Sequence, residues 1–182
     1  MNNLRHASPA RIRGLCAALV LACAGIDHAA ADSDVRAQAN ATKAAMIYNF
    51  ARFATWPQGR FSRRDAPLTV CVDPAEPLAG ALASIDGQRI DQRSLVVRRT
   101  AKIDENCQVA FVSAASASEA YLASLAARGV LTVGETPNFT QAGAIQLVTI
   151  GRQVRFAINQ RVALAAGVHL SSNLLRLAVS VR

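Results

Sequence analysis

The sequence predicts an α/β fold, a single-domain sandwich built on a mixed, mostly parallel central sheet with a C-terminal hairpin and helices. Short runs of apolar, mostly β-branched residues recur along the chain, as expected of strands buried on both faces. Segments rich in alanine and leucine, with helical spacing, lie between these runs. Near the C-terminus the continuous runs give way to apolar residues that alternate with polar or small ones, which is typical of a β-hairpin.

The continuous runs define the strands and the segments between them define the helices. We predict strands over residues 68–72, 95–97, 109–112 and 130–133. Helices are predicted over residues 78–85 and 118–128, and Gly129 directly after the second is typical of a helix end. Because strand and helix alternate here, these strands are expected to run parallel.

A first helix is predicted upstream of these strands, over residues 40–53. Asn40 or Thr42 is a candidate N-cap, and Pro57 is expected to end the helix near Trp56. We predict that the buried stripe of this helix is made by three residues, Ile47, Tyr48 and Ala51. Phe50 and Arg52 are expected to lie off that stripe.

The C-terminal segment is predicted to form a hairpin followed by two short helices. Apolar residues alternate over 145–149 and again over 154–158, with Gly151 between the two runs. Asn159 is a candidate cap for a helix over 160–166, and Ser171 or Ser172 for a last helix over 173–178.

The N-terminus has the three parts of a secretory signal peptide. A basic head containing Arg5, Arg11 and Arg13 precedes an apolar run of residues 14–26 and the small residues 29–31. We therefore predict export to the periplasm with cleavage near Ala31, leaving one domain of residues 32–182 that does not span the membrane. A competing interpretation takes residues 20–23 as a lipobox, in which case Cys23 would be lipidated.

The mature domain keeps two cysteines, Cys71 and Cys107. In an oxidising compartment this pair suggests one disulfide. A metal site is the poorer account, because the chain has no CxxC motif and His169 is the only histidine after the signal segment. We expect no metal and no cofactor. Catalytic motifs such as GxSxG and HExxH are absent from the sequence, so we predict a protein that is not an enzyme.

The chain is basic, with 20 Lys and Arg against 12 Asp and Glu, and its formal charge is +8. Removing residues 1–31 leaves 17 basic and 11 acidic residues, a formal charge of +6. The basic residues form two clusters in the sequence, Arg60, Arg63 and Arg64, and then Arg89, Arg93, Arg98, Arg99 and Lys102. Neither has the aromatic interleaving of a nucleic-acid platform, so we predict no nucleic-acid partner. A solvated basic face is the default interpretation, and partner docking is the alternative.

Aromatic residues are concentrated at the end of the first predicted helix and just after it. A core helix accounts for most of them, but they cannot all face one narrow stripe. Because aromatic and arginine side chains dominate interface energetics, some of this surface is a candidate for partner binding. The candidate partner-binding residues are Tyr48, Phe50, Arg52 and Trp56.

The run from Lys43 to Pro57, KAAMIYNFARFATWP, resembles the opening signature of the YfiR-like periplasmic proteins. Residues 107–113, 143–148, 154–159 and 170–178 agree with the family in the same order. The resemblance implies a non-enzymatic adaptor that binds the exported sensor region of an inner-membrane diguanylate cyclase, or of another membrane sensor. It further implies that the adaptor represses this partner and so lowers cyclic di-GMP output.

The resemblance also implies that Cys71 pairs with Cys107. Two alternatives stay open at this point. The first is a periplasmic domain that binds a small solute, because a parallel sheet offers a crevice at its strand ends. A homodimer is also compatible with the sequence.

Overall fold

A computed structural model describes the backbone of residues 24–182 and the side chains of residues 32–182. The predicted basic head and the two cysteines Cys16 and Cys23 lie outside the described residues. The chain divides into two compact units, residues 1–36 and 37–182. In the first unit, Arg36 and Asp32 form an ion pair of 2.8 Å one helical turn apart. The β-sheets and the two hydrophobic cores that are described below belong to the second unit.

Five α-helices and ten strands are described. The helices are α1 (Ala24–Arg52), α2 (Leu78–Leu82), α3 (Glu119–Ala127), α4 (Gln160–Ala165) and α5 (Ser172–Leu177). The strands are β1 (Ala54–Thr55), β2 (Leu68–Val72), β3 (Arg89–Ile90), β4 (Arg93–Arg99), β5 (Val109–Phe111), β6 (Leu131–Gly134), β7 (Ile145–Ile150), β8 (Gln153–Ile158), β9 (His169–Leu170) and β10 (Ser180–Val181). Within residues 24–182, none of the helices has the length and apolar character needed to cross a membrane.

Eight of these strands form one mixed, mostly parallel sheet in the order β10-β8-β7-β6-β5-β2-β4-β3. Within this sheet, the neighbouring strands β7, β6, β5, β2 and β4 pair in parallel. The hairpin of β7 and β8 is antiparallel, and its turn uses Gly151 with a φ of +60°. Strands β1 and β9 form a separate antiparallel pair. The predicted sheet type and the predicted hairpin are confirmed.

Both faces of the central sheet are buried, which explains the continuous apolar runs. On β2, Val70 and Val72 belong to the larger core, which α1 and α2 cover. Cys71 points to the opposite face and belongs to a smaller core with Leu122 and Leu125 of α3. Successive residues of a strand point to opposite faces. A strand that is covered on both faces therefore has a nearly continuous apolar sequence rather than an alternating one. The predicted sandwich is confirmed.

Helix α1 differs from its prediction at one end. It begins at Ala24 rather than near residue 40, so neither Asn40 nor Thr42 is an N-cap. The Thr42 hydroxyl instead donates 3.0 Å to the carbonyl of Gln38, as threonine commonly does inside a helix. The other end of α1 is close to the prediction, because the helix ends at Arg52.

The buried stripe of α1 was predicted incorrectly at Phe50. The stripe consists of Ala44, Ile47, Phe50 and Ala51, spaced by three and four residues. Phe50 is 1% exposed and its ring packs edge to face against Phe156, with 5.0 Å between the centroids. Phe50 is therefore a core residue and is not accessible to a partner in this conformation.

The capping predictions for the last two helices are confirmed. The Asn159 side chain accepts a hydrogen bond from the amide of Val162 at the start of α4. Of the two serines proposed for α5, Ser171 is the cap, and its hydroxyl accepts from the amide of Leu174. Each cap satisfies a backbone donor that the first helical turn leaves without a partner.

Candidate functional site

A cleft of about 460 Å³ opens where α1 ends. Its floor includes the buried residues Ala51, Leu68 and Ile90. Its polar and aromatic lining comes from the end of α1, from the loop between β1 and β2, and from β4. We call this site the arginine cleft, after its lining residues Arg52, Trp56, Phe61, Arg63, Arg64 and Arg93.

Arg93 holds the loop that forms one side of the arginine cleft. Its guanidinium carbon lies 3.6 Å from the ring centroid of Phe61, a cation–π contact. Its Nη1 donates to the carbonyls of Arg63 at 3.0 Å and Ala66 at 2.8 Å. Phe61 in turn packs edge to face with Trp56, with 6.1 Å between the centroids. Arg93 thus has a structural role, which is to fix the segment that carries Arg63 and Arg64.

The arginine cleft has an excess of positive charge. Four arginines line it, and Asp91 is the one carboxylate in its lining among the described residues. Arg63 forms an exposed ion pair of 3.1 Å with Asp65, whereas within residues 32–182 no carboxylate lies within 4 Å of Arg52 or Arg64. The guanidinium of Arg52 lies 5.7 Å from the ring centroid of Phe53. Arg52 and Arg64 are therefore two exposed cations without a neutralising partner in the described chain.

Trp56 is one of the aromatic residues that line the arginine cleft. Its indole Nε1 is buried and has no hydrogen-bond partner among the described residues. A buried N–H without an acceptor is costly, and groups of this kind are commonly satisfied by water or by a ligand. Trp56 is also the single tryptophan of the sequence, so its fluorescence reports on this cleft.

The structure brings together two of the four predicted partner-binding residues. Arg52 and Trp56 line the arginine cleft. Tyr48 is half-buried, and its hydroxyl donates 2.8 Å to the carbonyl of Arg89, which ties α1 to the edge strand β3. Phe50 lies in the core. A role of Arg52 and Trp56 in partner binding stays a prediction.

Two lining residues were missed by the sequence analysis, Phe61 and Arg93. A signal for Phe61 was present, because it lies between Arg60 and Arg63 and gives that basic cluster an aromatic member. No comparable signal exists for Arg93, since its contacts with Phe61 and with the loop carbonyls join segments about thirty residues apart and depend on the pairing of β2 with β4.

A second group of arginines surrounds the disulfide. Cys71 and Cys107 are bonded, as predicted, with 5.7 Å between their Cα atoms, and both are fully buried. The Nη2 atom of Arg98 donates to Asp104 and lies 3.0 Å from the sulfur of Cys107. Arg60 donates 2.8 Å to the carbonyl of Cys107. We call Arg60 and Arg98 the disulfide arginines.

The disulfide arginines have partners inside the fold, and two pKa values reflect this. The hydrogen bond from Arg98 holds the pKa of Asp104 below its ordinary value of 3.8. Burial lowers the pKa of Arg60, against the opposing effect of Glu105. These cations are used to hold the segment that contains Cys107 against β2 and β4.

Acidic residues lie close together after the C-terminal end of β2. Burial raises the pKa of Glu76, and the nearby carboxylates Asp73 and Glu135 raise it further. Glu135 follows β6 and forms an ion pair of 2.9 Å with Lys43 of α1. Among the side chains of residues 32–182, no group of three could hold a metal ion. His169 is exposed on β9.

Comparison with known proteins gives one family and one structural similarity. A family model described as YfiR/HmsC-like matches residues 40–179. No curated protein matches the chain. Among solved structures, the chain is similar to a conserved domain protein from Vibrio cholerae O1 biovar El Tor strain N16961, with 15% identity and a TM-score of 0.44. That alignment covers 65% of this chain and 55% of the other, so the chain spans about half the length of that structure.

Proposed function

The chain belongs to the YfiR/HmsC-like family, and we propose that it is a periplasmic adaptor that binds the exported sensor region of an inner-membrane diguanylate cyclase and represses it. The family consists of periplasmic regulators and is regulatory rather than catalytic. The observation that carries the proposal is the family match, which extends over residues 40–179 and so includes α1 from residue 40, the sheet and the helices that follow.

The proposed mechanism is stoichiometric. A sensor region that exists in an inactive and an active conformation is shifted toward the inactive one by an adaptor that binds this conformation more tightly. Repression then depends on the concentration of folded adaptor in the periplasm. Loss of the fold would release the cyclase and raise cyclic di-GMP.

We place the docking surface at the arginine cleft. Arg52 and Trp56, both predicted from the sequence, lie there together with Arg64. The cleft combines exposed arginines with a tryptophan, two of the residue types that most often carry interface energy. Phe50 is not part of this surface because it is buried, and Tyr48 supports the surface through its bond to β3.

Export is part of the proposal. We propose that residues 1–31 form a cleaved signal peptide and that residues 32–182 form the single mature domain. Intact-mass measurement on a periplasmic extract is expected to give a chain that begins near Asp32. A diacylglyceryl adduct on Cys23 would instead show a lipid-anchored protein.

Affinity capture tests the proposed function. The tagged full-length protein, expressed in its own host, is expected to capture an inner-membrane protein with a diguanylate cyclase domain after mild detergent extraction. Deletion of the gene is expected to raise cyclic di-GMP, and complementation is expected to lower it again. Capture of no membrane signalling protein, together with unchanged cyclic di-GMP in the deletion strain, would reject the proposal.

One observation supports small-solute binding as the second candidate function. The volume of the arginine cleft, about 460 Å³, lies within the range of roughly 300 to 1,000 Å³ typical of ligand pockets. Native mass spectrometry of the protein purified from the periplasm separates the two candidates. A bound small molecule that persists through purification would favour the solute-binding function.

A further inference from the structure

We infer that the arginine cleft recognises a carboxylate-rich polypeptide segment of the partner, with Arg52 and Arg64 as the charge contacts. The inference rests on the proposed function, because the segment would belong to the exported region of the regulated membrane protein. It adds the chemistry by which that region is bound.

The charge balance of the arginine cleft supports an anionic occupant. Its lining holds four arginines and one aspartate in the described chain. Two of the four have partners within the protein, since Arg93 donates to loop carbonyls and Arg63 pairs with Asp65. Within residues 32–182, the guanidinium groups of Arg52 and Arg64 have no hydrogen-bond or ion-pair partner, so their donors remain for a ligand. Arginine pairs with carboxylates through two parallel hydrogen bonds, which adds geometric specificity to charge complementarity.

The arrangement of these cations favours an extended ligand over a compact anion. Arg52 lies at the end of α1 and Arg64 in the loop before β2, and both are exposed. The accessible apolar surface of the same cleft comes from the exposed Pro57 and the half-buried Trp56 and Phe61. A segment with carboxylates on both sides of an apolar residue contacts the two arginines and this surface together. A single small anion would contact the arginines and leave the apolar surface uncovered.

The aromatic residues of the cleft do not suit a nucleic acid. Base stacking requires the open face of a ring. One face of Phe61 is covered by the guanidinium of Arg93 at 3.6 Å, and Trp56 and Phe61 meet edge to face rather than as parallel platforms. These rings serve to pack the loop, which leaves the charges of Arg52 and Arg64 as the recognition groups.

Side chains, rather than an added strand, are expected to make the contacts. The neighbouring edge strand β3 has only two residues. The carbonyl of Arg89 in that strand already accepts the hydroxyl of Tyr48. A partner strand that pairs at that position would have to share this carbonyl with Tyr48, whereas a segment lying in the cleft does not use it.

Fluorescence of Trp56 provides the test. The protein purified from the periplasm is titrated with a short synthetic peptide of glutamate and leucine that contains no aromatic residue, and then with the same peptide carrying lysine for glutamate. We expect a saturable change in emission with the glutamate peptide that weakens as ionic strength rises, and no saturable change with the lysine peptide. An equal response to both peptides would overturn the inference. A response to inorganic phosphate alone that matches the glutamate peptide would also overturn it.

Charge reversal assigns the response to the cleft. Arg52→Glu/Arg64→Glu is expected to weaken binding of the glutamate peptide at least about tenfold. The matched control, Arg152→Glu/Arg155→Glu, makes the same change in net charge on two exposed arginines of the β7–β8 hairpin and is expected to leave binding within about twofold. If the two double variants lose binding equally, net charge alone explains the response and the inference fails. Arg52→Gln/Arg64→Gln repeats the test without reversal should the glutamate variant melt at a lower temperature.

The same variants separate this inference from the proposed function. If the Arg52→Glu/Arg64→Glu variant still captures the cyclase, acidic recognition by the cleft is overturned and the adaptor function stands. Absence of any captured cyclase with the wild-type protein would reject the adaptor function, and the peptide titration would still decide whether the cleft binds acidic segments.

Discussion

The arginine cleft and the disulfide region use the same residue type for opposite purposes. Around the disulfide, Arg98 contacts Asp104 and the sulfur of Cys107, and Arg60 contacts the carbonyl of Cys107. At the cleft, Arg52 and Arg64 have no acidic partner in the described chain. Cations with partners inside the fold stabilise it, and cations without partners remain available to another molecule. The Nη2 atoms of Arg60 and Arg98 have partners, although their buried Nε atoms have none among the described residues.

This difference crosses the boundaries of the clusters seen in the sequence. Arg60 and Arg64 belong to one sequence cluster, yet Arg60 faces the disulfide and Arg64 the cleft. The second cluster divides in the same way, because Arg98 contacts Cys107 while Arg93 packs on Phe61. Each basic cluster of the sequence thus contributes arginines to both regions. The strand or loop on which an arginine lies decides which region it joins.

A buried and an exposed residue of α1 are expected to differ strongly in their effect on the free energy of unfolding, and this is the largest difference that we predict. Phe50→Ala removes a buried ring that packs on Phe156 and is expected to lower the free energy of unfolding by about 3 to 5 kcal/mol. Arg52→Ala, two residues later, is exposed and is expected to stay within about 0.5 kcal/mol of the wild type. Urea denaturation measures both. A large loss of stability in Arg52→Ala would show that this arginine is structural.

The disulfide itself gives the next largest effect. Replacing both cysteines, Cys71→Ala/Cys107→Ala, removes a crosslink between residues 36 positions apart and avoids a free thiol. In the chain-entropy model, this costs roughly 3 to 4 kcal/mol of stability. The melting temperature and the periplasmic abundance are both expected to fall. If thermal melts under oxidising conditions match the wild type, the disulfide region does not have the stabilising role assigned to it.

Two alanine variants compare the stability effect of a disulfide arginine with that of a cleft arginine. Arg98→Ala leaves the partly buried Asp104 and the sulfur of Cys107 without their donor and is expected to cost about 1 kcal/mol. Arg64→Ala removes an exposed cation with no partner among the described residues and is expected to change stability by less than about 0.5 kcal/mol. Thermal melts of the two variants at low ionic strength make the comparison. Equal losses would contradict the division into two kinds of arginine.

The smallest effect is the pH dependence of the Arg98–Asp104 pair. The pKa of Asp104 is lowered in the folded state, so its contribution to stability is complete above the ordinary value of 3.8 and is lost as pH falls through the folded-state pKa. Asp104→Asn is expected to destabilise the protein by about 0.5 kcal/mol at neutral pH, as for a partly exposed ion pair. The difference from the wild type is expected to close as the pH falls below about 4. A difference that is constant from neutral to acid pH would assign the effect to packing.

Most of the architecture could be predicted from the sequence because its signals are local. Strand β2 was predicted over the residues that form it, since a five-residue run with four apolar residues between turns has few alternatives. Asn159 and Ser171 cap the helices expected of them. The two-residue strands β1, β3, β9 and β10 were missed because they exist only through their pairing partners. The start of α1 was wrong because the alanine-rich segment before Asn40 continues the helix through residues that resemble caps.

The candidate site was harder to predict than the fold. Arg52 and Trp56, which line the arginine cleft, were proposed for partner binding because they lie within the aromatic-rich segment at the end of α1, and that role stays a prediction. Phe50 was assigned to the wrong face because Tyr48 was taken into the buried stripe in its place, although Ala44, Ile47 and Ala51 mark the stripe that includes Phe50. The different roles of Arg60 and Arg64 depend on tertiary contacts, such as the bond from Arg60 to a carbonyl 47 residues away. No local pattern carries that information.

Repression measured together with protein abundance separates a docking role of the cleft arginines from a role in stability. A strain lacking the gene and carrying a cyclic di-GMP reporter is complemented with Arg52→Glu/Arg64→Glu or with Arg98→Ala, and periplasmic protein is quantified in the same cells. We expect the cleft variant to lose repression at wild-type abundance and melting temperature, whereas Arg98→Ala is expected to lose repression only in proportion to its lower abundance. Full repression by the cleft variant at equal abundance would contradict the claim that the unpartnered arginines form the docking site.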